Sequence, residues 1–183
     1  MNRKAIKNNA KITLQEHRWI SVGAHALFSL LVKVCSFIPG GALVLTGVFS
    51  YGNVDFFLTQ TDDIKTVFSG FKNFAKSFLA GLLQFVYTSL WTLLFIIPGI
   101  IKTYSYALTY YILKDNPELT ANEAITKSRE MMKGYKWKFF VLQLSFLGWD
   151  ILGMLTFGIL SILYVNPYKQ YAYAEFYRKV KGE

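Results

Sequence analysis

Asp150, in LSFLGWDILG, is the residue in this sequence whose type and setting most directly pose a chemical question. It is the only charged residue between Phe139 and Val165. An ionised carboxylate at the middle of an apolar helix costs on the order of 2.5–3.5 kcal/mol on an insertion scale, so Asp150 must be paired, protonated or facing water. Lys33, in LFSLLVKVCSF, is the matching cation in another apolar run. A Lys33–Asp150 contact would neutralise both, and a proton-relay site would use the carboxylate directly. The plainer reading has Lys33, six residues before Pro39, reaching to the nearer surface while Asp150 bonds a neighbouring helix, and that reading is preferred.

Other polar residues give weaker chemistry. His17 and His25 stand about two helical turns apart, but two imidazoles without a third ligand make a poor metal site. Asp62-Asp63 fits a helix cap better than a calcium loop. There is no phosphate-binding glycine loop, nucleophile elbow or HExxH pair, and the lone Cys35 can form no intrachain disulfide. The expectation is therefore a chain that is not an enzyme, with no catalytic residue, metal or cofactor.

The elements that would carry these residues are apolar and long. The chain has 183 residues, 53% of them hydrophobic and 17% aromatic. Phe78 to Ile101 has no charge at all, and this run, like Phe139 to Val165, exceeds the roughly 20 residues that cross a hydrocarbon core of about 30 Å. The expected class is an all-α integral membrane protein, one domain over residues 1–183, with a basic N-terminus (1–18) and two amphipathic polar loops (60–73 and 114–136) on the cytoplasmic side. The formal net charge of +9 flanks the apolar runs instead of forming a soluble basic face, which points to the lipid bilayer and away from nucleic acid.

Each of three apolar blocks contains a proline: Pro39-Gly40 in FIPGGAL, Pro98-Gly99 in FIIPGII, Pro167 in YVNPYKQ. Proline removes a donor and glycine tolerates positive φ, so these points read as reversals near the far side of a bilayer. All four long polar segments are basic, which places both termini in the cytoplasm and needs an even number of crossings per block. Three proline-broken hairpins and six spans follow. The alternative is four or five spans, with the tyrosine-rich segments after Pro98 and Pro167 lying at the interface.

The loops carry local signals. Thr120 with Glu123 three positions on predicts a capping box opening a helix, with Gly134 as its terminator. Ile64, Val67, Phe68, Phe71, Phe74 and Phe78 beside Lys65, Lys72 and Lys76 predict an amphipathic interfacial segment. Gly148, Gly153 and Gly158 recur every five residues, which does not line one helix face and predicts contacts with different neighbours.

From about Leu90 to Tyr177, the words LWTLLFIIPGIIKTYSYALTYYILKDNPELTANEAITKSREMMKGYKWKFF, LSFLGWDILGMLTFGILSILYVNPY and AEFY occur in order. In these the chain resembles the bacterial integral membrane proteins of domain-of-unknown-function family 975. The resemblance implies a multi-span helical protein of the bacterial cytoplasmic membrane and carries no catalytic residue. Asp150 departs from the family pattern, which expects an apolar or small residue there. The leading functional expectation is a non-enzymatic helper, scaffold or immunity-like protector of the envelope, acting with a membrane-protein partner or as a homo-oligomer. A small transporter or channel using the broken helices and Asp150 is the alternative, and a lipid-modifying enzyme the third reading.

Overall fold

The computed structural model describes residues 3–37, 41–94 and 96–182. All regular structure among them is helical: α1 (Arg3–Glu16), α2 (Arg18–Ser36), α3 (Gly41–Thr59), a 3-10 helix (Ile64–Phe71), α4 (Phe74–Leu94), α5 (Ile96–Ser105), α6 (Thr109–Asp115), α7 (Ala121–Met131), α8 (Lys136–Leu144), α9 (Leu147–Leu155), a π-helical turn (Ser161–Val165) and α10 (Asn166–Lys181). Two stretches, Arg18–Cys35 and Lys136–Leu155, are long and apolar enough to cross a membrane, and most of each is unburied.

Three helical hairpins organise the chain, and two of them turn at places other than their prolines. In the second, Trp91 meets Lys102 and Tyr87 meets Tyr106, so α4 and α5 run antiparallel. Pro98 lies in the first turn of α5. A missing amide is harmless there, because first-turn amides have no partner within the helix. Gly99 serves packing, since a Cβ on it would stand 2.8 Å from the Thr92 Cα of α4.

The third hairpin reverses at Phe157 (φ 50) and Gly158 (φ 85), ten residues before Pro167. Glycine supplies the left-handed conformation that a tight reversal needs. Pro167 opens α10, which continues directly from the π-helical turn through Val165 and Asn166, both right-handed. The wider turn just before the proline accommodates its missing donor. The first hairpin pairs α2 with α3, and its expected turn residues Pro39 and Gly40 lie outside the described residues.

The centre of the bundle is α3, which packs against α2, α4, α6, α10 and the 3-10 helix. Its sequence, GALVLTGVFSYGNVDFFLT, has apolar residues all around the helix, and residues 47–49 and 51–58 are buried. Small residues bring its neighbours close. Gly47 meets Gly81 and Ser77 of α4, where an added Cβ would stand 2.7 Å from the Ser77 carbonyl oxygen. On the 3-10 helix, a Cβ on Gly52 would overlap the Val67 carbonyl oxygen, and one on Gly70 the Val48 carbonyl oxygen.

The most polar limb, α10, is buried. Tyr168, Tyr171, Ala172, Ala174, Phe176 and Tyr177 face the interior, and the tyrosine hydroxyls find partners there. Tyr171 bonds Ser21 at 2.7 Å, Tyr177 donates to Asp115 Oδ2 at 2.7 Å, and Tyr168 donates to the Lys7 carbonyl at 3.1 Å. Such a helix keeps its aromatic bodies in the core while each hydroxyl stays satisfied.

Basic helix α1 docks on α10 through Ile6, Ala10, Thr13 and Leu14. Lys7 donates to the Ser145 carbonyl at 3.2 Å, with its ammonium 4.4 Å from the Phe146 ring centre. Burial, with the charge of Arg3 beside it, pushes the Lys7 ammonium below its ordinary value.

Candidate functional site

Charged side chains gather in three places. The first is where the inner ends of the hairpins meet. Asp55, near the end of α3, is almost completely buried, and its Oδ1 lies 2.6 Å from Lys114 Nζ on α6. Asp115 pairs with Lys181 at 2.8 Å as well as with the Tyr177 hydroxyl. Arg178 pairs with Glu175 at 2.7 Å and donates to the Leu58 carbonyl at 2.6 Å, while Asn9 donates to Glu175 at 3.3 Å. His17 and Asp62 meet at 2.6 Å, and Lys76 donates to the Pro117 carbonyl. These contacts clamp the ends of α1, α2, α3, α4, α6 and α10 into one polar lattice. A cavity of about 530 Å³ opens beside it, lined by Asp55, Thr59, Ser69, Lys72 and Lys114 among others.

Asp55 was not among the sequence candidates, although its setting gave the same signal as Asp150: a single acid flanked by apolar residues, here in YGNVDFFL. Its side chain is 5% exposed, against 34% for Asp150, which makes it the more demanding charge to bury.

The second place is the third hairpin, which holds Asp150. Its partner is Lys169 of α10, not Lys33, which is exposed on α2. The turn at Phe157-Gly158 folds α10 back along α9, setting Gly153 against Ser161 and Trp149 beside Tyr164, with ring centres 5.4 Å apart. A lysine one helical turn beyond Val165 then reaches the carboxylate. The pair is neutral as a unit and part-exposed, so the carboxylate is compensated. Of the spaced glycines, Gly153 packs on Ser161, Gly158 makes the turn and Gly148 faces open space.

The histidines lie apart in chemistry. His25 is buried with its ring 5.8 Å from Phe28 and 6.4 Å from Phe57, whereas His17 serves the lattice.

The third place lies along α7. Its start is the capping box expected from the sequence: the Glu123 backbone amide donates to Thr120 Oγ1 at 3.3 Å, and the Thr120 amide donates to Glu123 Oε2 at 2.8 Å. The Thr120 amide and hydroxyl, both donating to Glu123 Oε2, hold the Glu123 carboxyl below its ordinary value. Gly134 takes φ +78 just past the helix end. The Asp63 side chain likewise caps the 3-10 helix, accepting from the Lys65 amide at 3.0 Å.

Apolar positions of α7 pack against α4, α5 and α6. Lys76 with Pro117, Tyr87 with Asn122 and Trp91 near Arg129 show that this segment follows α4 along its length. It ends in a cleft of about 220 Å³ between α4, α5 and α7, lined by Tyr87, Trp91, Lys102, Tyr106, Asn122 and Arg129. Another cavity, of about 390 Å³, brings Arg3 and Lys4 to Trp137 and Lys138. Each combines basic and aromatic side chains.

Among known proteins, residues 95–183 match the model of a family described as protein of unknown function (DUF975). Neither the curated proteins nor the solved structures gave a match.

Proposed function

As a member of the DUF975 family, whose description assigns no activity, the chain is, we propose, a non-enzymatic membrane scaffold or helper whose hairpin tips enter the lipid of the bacterial cytoplasmic membrane. The observation that carries this reading is what the reversals expose. Phe37 is 88% exposed, Leu93 86% and Phe157 98%, with Leu90, Ile100, Met154 and Leu155 close behind them. Monomeric soluble proteins rarely present apolar surface of this extent, whereas lipid covers it without penalty.

In this reading the first and third hairpins cross the bilayer through Arg18–Cys35 and Lys136–Leu155. The second, flanked along α4 by the polar helix α7, enters with its tip. The basic segments stay on the cytoplasmic side, where anionic lipid favours them. The contacts at the hairpin ends tie α3 to α6, α6 to α10 and α10 back to α3, which suits a platform for a partner better than a moving gate. The Asp150–Lys169 pair further favours the scaffold over a transporter, because the intramembrane carboxylate is already compensated.

Reconstitution separates the two. Liposomes containing the full chain should pass protons and potassium no faster than empty liposomes, and should retain the protein through an alkaline carbonate wash. Flux above the empty control that Asp150→Asn abolishes would replace the scaffold by a transporter. Loss of the protein in the wash would remove the membrane reading altogether.

A further inference from the structure

The cleft between α4, α5 and α7 has a chemistry that the scaffold reading does not use. Lys102 and Arg129 come to it from different helices, and neither has an acidic partner among the described residues. Lys136 stands within electrostatic reach of both, and Lys133 within reach of Lys136. Like charges repel, so such a grouping persists only where the scaffold imposes it. Here it does. Ser128, buried on α7 one residue before Arg129, donates to the Ser105 carbonyl at 2.9 Å and accepts from the Leu108 amide at 3.2 Å, fixing α7 against the loop that follows Lys102.

The other lining groups are neutral hydrogen-bonding or aromatic ones. The Tyr87 hydroxyl donates to Asn122 Oδ1 at 3.2 Å, which orients that amide at the cleft. Lys102 Nζ stands 4.3 Å from the Trp91 ring centre, so the aromatic face restrains the ammonium without neutralising it. Two cations on a restrained frame, with amide and hydroxyl groups between them, match the several oxygens of a phosphate better than the two of a carboxylate. Of the three helices that form the cleft, α4 and α5 carry exposed apolar side chains, Leu90, Leu93, Ile100 and Ile101, and α7 carries exposed polar ones. A headgroup phosphate, with acyl chains on one side and water on the other, meets both.

We propose that this cleft binds a phosphate group, carried by an anionic phospholipid headgroup or by free phosphate, with Lys102 and Arg129 as its cationic ligands. The lipid arm rests on the membrane reading above.

The test is equilibrium binding of a fluorescent short-chain phosphatidylglycerol to the full chain in neutral detergent micelles, with inorganic phosphate or short-chain phosphatidylcholine as competitor. Lys102→Gln and Arg129→Gln should each weaken binding about tenfold, the loss of one charge-assisted contact. Lys102→Arg, which keeps the charge, should bind within a few-fold of the parent, and Lys11→Gln, an exposed charge on α1, should change nothing. Competition by millimolar inorganic phosphate would assign the site to free phosphate; competition by unlabelled phosphatidylglycerol alone would assign it to lipid. Both outcomes uphold the site.

It is overturned if both glutamine variants bind like Lys11→Gln while keeping the parent's circular dichroism, or if phosphatidylcholine competes equally. Should Lys102→Gln lose helix, Arg129→Gln at the exposed end of α7 decides alone. A parent that fails to enter neutral bilayers refutes the membrane reading, whereas a parent that enters them, with variants that bind unchanged, refutes the site.

Discussion

Replacing Lys114 by methionine strands the Asp55 carboxylate. The ammonium lies 2.6 Å from Oδ1, and the aspartate side chain is only 5% exposed, so water from the adjoining cavity compensates the lost partner only in part. Removing one member of a buried pair costs about 3–5 kcal/mol, because the remaining charge stays desolvated. Lys114 itself keeps 31% exposure, which leaves part of the pair's field screened and brings the expectation to the lower end, about 3 kcal/mol. That is on the order of a hundredfold in the folding equilibrium. The double replacement Asp55→Leu with Lys114→Met removes both charges and should lie within about 1 kcal/mol of the parent. Reversible unfolding in detergent, followed by circular dichroism across the four members of this cycle, measures both quantities. A cost for Lys114→Met below about 1 kcal/mol, or a double variant no more stable than the single, would refute the claim that the hairpin ends are clamped by a buried pair.

Three further outcomes follow from the same structure. Gly52→Ala forces a Cβ into the Val67 carbonyl oxygen and should cost at least the roughly 1–3 kcal/mol of an overpacked core, whereas Gly148→Ala, in open space, should be neutral or slightly stabilising; equal melting temperatures for the two would contradict the tight seat of the 3-10 helix. Asp150→Asn removes the partner of Lys169 in a hairpin that the membrane reading places in lipid, where exposure brings no water to screen the ammonium, and should cost on the order of 2.5–3.5 kcal/mol; a loss below about 1 kcal/mol in the same unfolding assay would show that water reaches the pair. Glu123 has its carboxyl depressed in the folded chain, so the stability its capping box supplies is complete above the ordinary value of 4.5 and is lost as pH falls through the depressed one. Hydrogen exchange, corrected for intrinsic rates, should show the first turn of α7 protected at pH 6, with Glu123→Ala frayed there, and the difference between parent and variant should shrink only as pH falls below 4.5; equal protection of the two at pH 6 would count against the cap.

Local features were legible because their causes are local. Thr120 and Glu123 announce a capping box by spacing alone, and Asp63 a cap by type, so those helix starts lie where the sequence put them. Antiparallel hairpins were legible from apolar runs too long for one bilayer-width helix. Their turns were not. Pro98 and Pro167 looked like breaks, yet Pro98 sits in the first turn of α5, where a missing amide is harmless, Pro167 follows a π-helical turn that accommodates its missing donor, and glycine at 158 makes the third reversal instead.

Register is what the sequence hides. Moving that turn ten residues upstream of Pro167 brings Lys169 to Asp150 and leaves Lys33 outside, a pairing that depends on where the chain reverses and not on either residue's neighbours. Burial of α10 was hidden for a similar reason, since its polar composition reads as surface until Ser21, Asp115 and the Lys7 carbonyl arrive from other helices to satisfy its tyrosines. The cleft at Lys102 and Arg129 joins residues that are far apart along the chain, and only the packing of α7 on α4 and α5 brings them together.

The central claim, that the hairpin tips sit in lipid, is tested most directly by nitroxide labels in bilayers of phosphatidylcholine with one third phosphatidylglycerol. A Cys35→Ser background would carry single cysteines at Leu93, Phe157 and, on the exposed face of α7, Lys127. The labels at 93 and 157 should relax with dissolved oxygen and be shielded from a water-soluble nickel chelate, and the label at 127 should show the reverse. Free access of the chelate to positions 93 and 157 would contradict the account.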